Sequence, residues 1–145
     1  GLTAQTQVLF FKKVLASEEV AQALDLKEKE QVYKLTRLRS VDQNPLVVVT
    51  TYLSADKLVD FAKIDFTKQS LYQELEQRGL PIVHVKRKLE VKSADGMTAD
   101  LLNIKEKDPV FYFHTYGYSK NELPLEYSIA TYRGDENYFM IDLKK

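Results

Sequence analysis

Two arginines set two residues apart, Arg37 and Arg39, are the pair in this 145-residue chain best placed to do chemistry. They fall in Gln31–Val41, where residues alternate as they do along a strand. Tyr33, Leu35, Arg37, Arg39 and Val41 share one face, and Val32, Lys34, Thr36, Leu38 and Ser40 the other. Two guanidinium forks rising from one apolar row converge on a single point, an arrangement suited to bidentate recognition of phosphate or carboxylate. The same spacing also serves arginines that reach solvent or pair with acidic neighbours on a sheet.

Three further groups carry weaker signals. Ser70 opens a Ser-x-x-Gln capping box, where the amides of Leu71 and Tyr72 face outward at a helix start and the Tyr72 phenol adds a donor. Plain capping, with Tyr72 packed on the core, fits as well. Glu126, Ser128, Ala130 and Tyr132 share a strand face, so Glu126 offers an acceptor for ligand hydroxyls or amines and Tyr132 a wall. An exposed strand glutamate and a half-buried tyrosine would give the same pattern. Arg87, between Val83, Val85 and Leu89 on one face, is the faintest of the candidates.

The elements that must position these residues come in two copies. Ala16–Tyr52 contains a short helix pattern, a charged turn, an alternating strand, a turn at Asp42–Pro45 and a second strand, and Ala94–Tyr132 repeats the order. Lys105 stands 78 positions after Lys27, and the second hairpin turn, Lys120–Pro124, is one residue longer than the first. Two copies are too few for a solenoid, so the repeat predicts one domain, residues 1–145, with two related halves and a groove between them. Strands are expected at Val8–Val14, Gln31–Val41, Leu46–Leu53, Ile82–Val91, Val110–Ser119, Leu125–Arg133 and Tyr138–Leu143. Helices are expected at 18–25 behind Ser17, from Ser70 until Gly79 and Pro81 stop the chain, and at Thr98–Leu102, with one helical turn over Asp56–Phe61. The strands are joined by tight turns, which predicts an α+β domain with a mainly antiparallel sheet and helices on one face.

Composition narrows the function. With 44% hydrophobic residues the chain can build a core, and 21 basic against 21 acidic residues leave no global field to draw it onto DNA or an anionic membrane. No cysteine removes disulfide and thiolate chemistry and agrees with a cytoplasmic location. No apolar run is long enough to span a bilayer. His84 and His114 are expected as ordinary sheet residues, since no metal-ligand spacing accompanies them. No phosphate-binding glycine loop or Gly-x-Ser-x-Gly elbow is present, and the Lys-Glu-Lys runs suit solvated turns. No metal, cofactor or catalytic residue is expected.

Taken in order, Arg37–Arg39, Asp42–Leu46, Thr51–Leu53, Ile64–Phe66, Ser70–Tyr72, Thr98–Leu102, Lys105–Val110, Leu123–Tyr127 and Tyr132–Asp135 resemble the UTRA domain along nearly the whole chain. That is the effector-binding domain of the HutC branch of GntR-type bacterial transcription regulators. The resemblance implies a chorismate-lyase-like fold and a non-enzymatic metabolite sensor. It also implies a homodimer that acts as a repressor and meets operator DNA only through an N-terminal winged helix-turn-helix domain absent from this chain. Gly1 and Leu2 resemble the end of the linker to that domain. In members with sugar-phosphate effectors the phosphate is held by the positions of Arg37, Arg39, Ser70 and Tyr72, and the sugar meets those of Glu126 and Tyr132. Many members carry a glutamate where this chain has Val49, a departure that weakens the case for an amino-sugar phosphate and favours a less polar or differently hydroxylated ligand. The competing expectation is a lyase-like enzyme acting on a small carboxylated substrate, although no second group is evident to work with Glu126 as acid and base.

Overall fold

A computed structural model describes residues 3–145, so the expectation placed on Gly1 and Leu2 lies outside the described residues. The chain runs β1 (Ala4–Leu15), α1 (Glu18–Leu24), β2 (Gln31–Val41), β3 (Asn44–Ser54), α2 (Leu71–Gln77), β4 (His84–Ser93), α3 (Gly96–Leu102), β5 (Pro109–Ser119) and β6 (Leu123–Arg133). The six strands form one antiparallel sheet in the order β1-β2-β3-β6-β5-β4. That order reads as two copies of strand, helix and hairpin joined back to back through β3 and β6.

The duplication extends to single backbone angles. Helix α1 ends at Asp25 (φ 54°, ψ 48°) and α3 at Asn103 (φ 56°, ψ 45°), both left-handed, and Lys29 and Lys107 repeat the left-handed turn at φ 70° and 74°. In each copy the loop closes on the same alanine: Ala16 N–H donates to Glu30 O (2.7 Å) and Ala94 N–H to Asp108 O (2.8 Å). The first helix is capped by Ser17 as expected, whereas the second uses Asp95, whose side chain accepts from Thr98 N–H at 2.7 Å. Asp42 and Gln43 both take positive φ, so the first hairpin closes through two residues in the twist-compatible turn.

Three expectations fail. The helices do not share one face: α1 packs Val20, Ala21 and Leu24 against Val32, while α2 packs Leu71 and Leu75 with Tyr33 and Leu35. Adjacent residues of β2 point to opposite sides, so α1 and α2 cover opposite faces. Tyr138–Leu143 forms no strand; Tyr138, Met140, Ile141 and Leu143 stay exposed, and the segment is held instead by Phe139, whose ring meets those of Phe111, Phe113 and Tyr132 edge-on, because strand propensity yields to packing context. The single turn expected over Asp56–Phe61 is two separate 3-10 turns, Ala55–Lys57 and Phe61–Lys63.

The segment from Ala55 to Ile82 links the halves and roofs the sheet. Phe61 and Phe66 are fully buried and meet Phe11 and Tyr33 edge-on or tilted, with ring centroids 5.3–6.0 Å apart, in a cluster completed by Leu35, Leu53, Leu58 and Leu125. Where this apolar packing ends, the same sheet face turns polar.

Candidate functional site

Beyond Leu35 the sheet face and its roof part to leave a cavity of about 600 Å³. Both halves line it. Arg37, Arg39, Val49 and Thr51 come from β2 and β3, while Arg87, Thr115, Glu126, Ser128, Ala130 and Tyr132 come from β4, β5 and β6. The roof adds Phe66, Lys68, Ser70 and Tyr72. All six residues singled out from the sequence, Arg37, Arg39, Ser70, Tyr72, Glu126 and Tyr132, therefore border one space.

Their environments differ sharply. Glu126 is 5% exposed, not the solvent-facing glutamate its strand position allowed. Tyr72 Oη donates to its Oε1 at 2.6 Å and Ser128 Oγ to its Oε2 at 2.6 Å, with Thr51 Oγ1 2.9 Å from Ser128 Oγ. Glycine at 117 permits this: a Cβ there would lie 2.6 Å from Glu126 Oε1. Burial raises the Glu126 pKa against the opposing pull of those hydroxyls and of Arg87 and Arg37. Tyr72 is raised too, first by burial and then by the Glu126 charge.

The sign of the Glu126 shift fixes a prediction. The folded protein holds that proton more tightly than the unfolded chain. The contribution to stability is full below the unfolded carboxyl value of about 4.3 and is lost as pH rises through the higher folded value. Glu126→Gln is expected to melt a few degrees above the parent at pH 7.5, with the gap closing by pH 4. A thermal melt at the two pH values checks this, and identical melting at pH 7.5 would count against a strained carboxylate.

The cations stand in the opposite condition. Arg37 is half-buried with its Nε hydrogen lacking any acceptor, and its pKa is lowered by burial and then by Arg39, with Glu126 pulling back. Its guanidinium carbon lies 6.0 Å from the Phe66 ring centre, at the outer reach of a cation–π contact. Arg39 is exposed beside it. Among the described residues no ion pair within 4.0 Å engages Arg37, Arg39, Lys68 or Arg87. The carboxylate of the cavity is taken by hydroxyls and its four cations are left open.

Ser70 caps α2, accepting from Gln73 N–H at 3.4 Å. With only seven residues α2 has a small dipole, so the electrostatic weight rests on the side-chain cations rather than on the helix start. Tyr72 is 38% exposed and bonded to Glu126 instead of packed in the core, so it joins the two ends of the site that the sequence kept apart. Lys68, Thr51 and Thr115 were missed; Lys68 sits in an irregular loop where no periodicity marks a face.

The remaining titratable candidates lie elsewhere. His84 Nδ1 meets Glu122 Oε2 at 3.3 Å near the surface. His114, buried on the opposite sheet face, bridges Tyr127 Oη and Glu90 Oε1 at 2.9 Å each. No cluster of three metal-ligating side chains occurs among the described residues, nor any helix long and apolar enough to cross a membrane.

The family model for the UTRA domain matches residues 1–137. The chain belongs to the UTRA domain family. It is 24% identical over 141 residues to the HTH-type transcriptional repressor NagR of Bacillus subtilis, covering 97% of this chain and 58% of that protein. The chain thus spans a little over half the length of the curated relatives it matches. Its fold superposes on the crystal structure of the effector domain of PhnF from Mycobacterium smegmatis with a TM-score of 0.92 at 23% identity, over 99% of this chain and 89% of that one. A GntR-family transcriptional regulator from Enterococcus faecalis gives 0.88 at 22% identity, over 95% and 99%.

Proposed function

We propose that this UTRA domain is the sensing part of a bacterial transcription repressor and binds a small anionic metabolite, such as a sugar phosphate, in the cavity between its two halves. One observation carries the proposal: four cations border a space whose lone carboxylate is already satisfied, and one of them, Arg37, keeps a buried donor with no acceptor. Such a group is costly until an anion arrives. Charge-assisted bonds are worth roughly 1.5–3 kcal/mol each, so a few of them reach the ~8 kcal/mol of a micromolar site after ordering costs.

In this proposal Arg37 and Arg39 grip the anion, Ser70 and Lys68 flank it, and Glu126 with Tyr72 and Tyr132 reads the hydroxylated remainder. Val49 stands opposite Arg37 in the register of β2 and β3, so no carboxylate waits there for a ligand amine. DNA contact belongs to an N-terminal winged helix-turn-helix in a longer cytoplasmic homodimer, whose arrangement the ligand shifts through contacts made in one state only. The relatives are named as transcription regulators, which favours sensing over the lyase-like alternative. A thermal-shift series with inorganic phosphate and hexose phosphates tests the anion site. Melting temperature is expected to rise with the logarithm of ligand concentration above Kd, and a flat response to every phosphate probe would refute it.

A further inference from the structure

Strand β4 sorts its side chains by face. Lys86, Lys88, Glu90 and Lys92 alternate with Val85, Arg87, Leu89 and Val91, so Arg87 is the one charged side chain in an apolar row. It borders the cavity together with Thr115, its register partner on β5. It has neither an ion pair nor a hydrogen bond from its side chain among the described residues, and Glu126, the carboxylate of the cavity, is held by Tyr72 and Ser128.

The register fixes where Arg87 stands relative to the arginine pair. Leu35, Thr51, Ser128, Thr115 and Arg87 align across β2, β3, β6, β5 and β4, and Arg37 lies two residues along β2 from that row. Four strand spacings of about 4.8 Å put the two arginine-bearing strands roughly 19 Å apart at the backbone. Side chains on strands stand roughly perpendicular to the sheet, so the two guanidinium groups keep a separation of the same order as their strands, about 15–19 Å across the cavity. A phosphate seated on Arg37 and Arg39 cannot also touch Arg87. An extended six-carbon chain with an anion at each end can bridge that separation, each guanidinium standing one charge-assisted bond back from its anion, over a floor of three buried hydroxyls, Thr51, Ser128 and Thr115.

Resting on the anion-sensing proposal above, we infer that the site takes a doubly anionic ligand, a phosphorylated sugar acid or a molecule of that chemistry, with its phosphate on Arg37 and Arg39 and its carboxylate on Arg87. Arg87 is then the specificity-determining residue, since it separates a sugar phosphate from its acid.

Glucose 6-phosphate and 6-phosphogluconate are suitable probes, being matched in carbon number and phosphate and different at the far end. Calorimetric titration of the 145-residue chain is expected to show 6-phosphogluconate bound at least about tenfold more tightly, as one charge-assisted bond provides. In Arg87→Gln the ratio of the two affinities is expected to collapse toward one, with the thermal melt confirming an intact fold, and Arg87→Lys to restore part of it. Equal affinities in the parent chain, or a ratio that survives Arg87→Gln, would overturn the second anion seat while leaving the phosphate seat standing. Binding of neither probe would remove both.

Discussion

Replacing Arg37 and Arg39 together with alanine is expected to weaken phosphate-ligand binding by about a thousandfold or more while leaving the domain folded. Two guanidinium forks make several charge-assisted bonds to one anion, and losing even ~4 kcal/mol of that interaction amounts to three decades in Kd. The fold survives because these side chains hold little else: among the described residues neither makes an ion pair, Arg37 keeps an unpartnered buried Nε, and its contact with the Phe66 ring lies at the outer reach of a cation–π interaction. Arg37 is a half-buried charge beside a like charge, which burial and then Arg39 disfavour. Arg37→Met, which keeps the stem and drops the charge, is therefore expected to melt at or above the parent temperature and still lose the ligand. Titration calorimetry and a thermal melt on the same samples check both halves. Retained affinity in the double variant would end the anion-site assignment.

Phe66→Ala is expected to give the largest stability loss of any residue bordering the cavity. Phe66 is 1% exposed, packs on Phe11 and Phe61 at 5.3 Å between centroids, and lies beneath the Arg37 guanidinium. Truncating a buried phenylalanine costs about 3–5 kcal/mol, a large share of the ~5–15 kcal/mol that holds a domain together. At roughly 2–4 °C per kcal/mol for a chain of this size, the midpoint is expected to fall on the order of 10 °C or more. Phe66→Leu refills most of the volume and is expected to recover most of that loss. It still removes the aromatic face under Arg37, so ligand affinity is expected to stay below the parent. Denaturant melts of the two variants check the stability part, and a loss in Phe66→Ala below about 1 kcal/mol would show that Phe66 is not part of the packed core.

The two halves were legible because each signal is local. Lys27–Glu30 and Lys105–Asp108 match at the level of turn chemistry, and the structure repeats the left-handed residues around them, Asp25 and Lys29 in one half and Asn103 and Lys107 in the other. The alternation in β2 likewise put Arg37 and Arg39 on the face of Leu35 before any partner was known. The roof was not legible. Leu58, Phe61 and Phe66 are spaced irregularly through two 3-10 turns and a bend, so no period announces that they cap the sheet. Tyr138–Leu143 failed for the reverse reason, a strand pattern overridden by the packing of Phe139 on Phe111, Phe113 and Tyr132.

Residue order by itself determined the duplicated topology, the caps, the family and the side of the sheet on which the arginines stand, because alternation and turn chemistry act over a few residues. Tertiary structure alone decided that Glu126 is buried and held by Tyr72, 54 positions away in sequence, and that among the described residues the four cations around it make no ion pair. Burial and ion pairing depend on which distant segments meet, and in this domain the linker between the halves brings the Tyr72 hydroxyl to a carboxylate that Ser128 of β6 already holds, and supplies no acid to the guanidinium groups among the described residues.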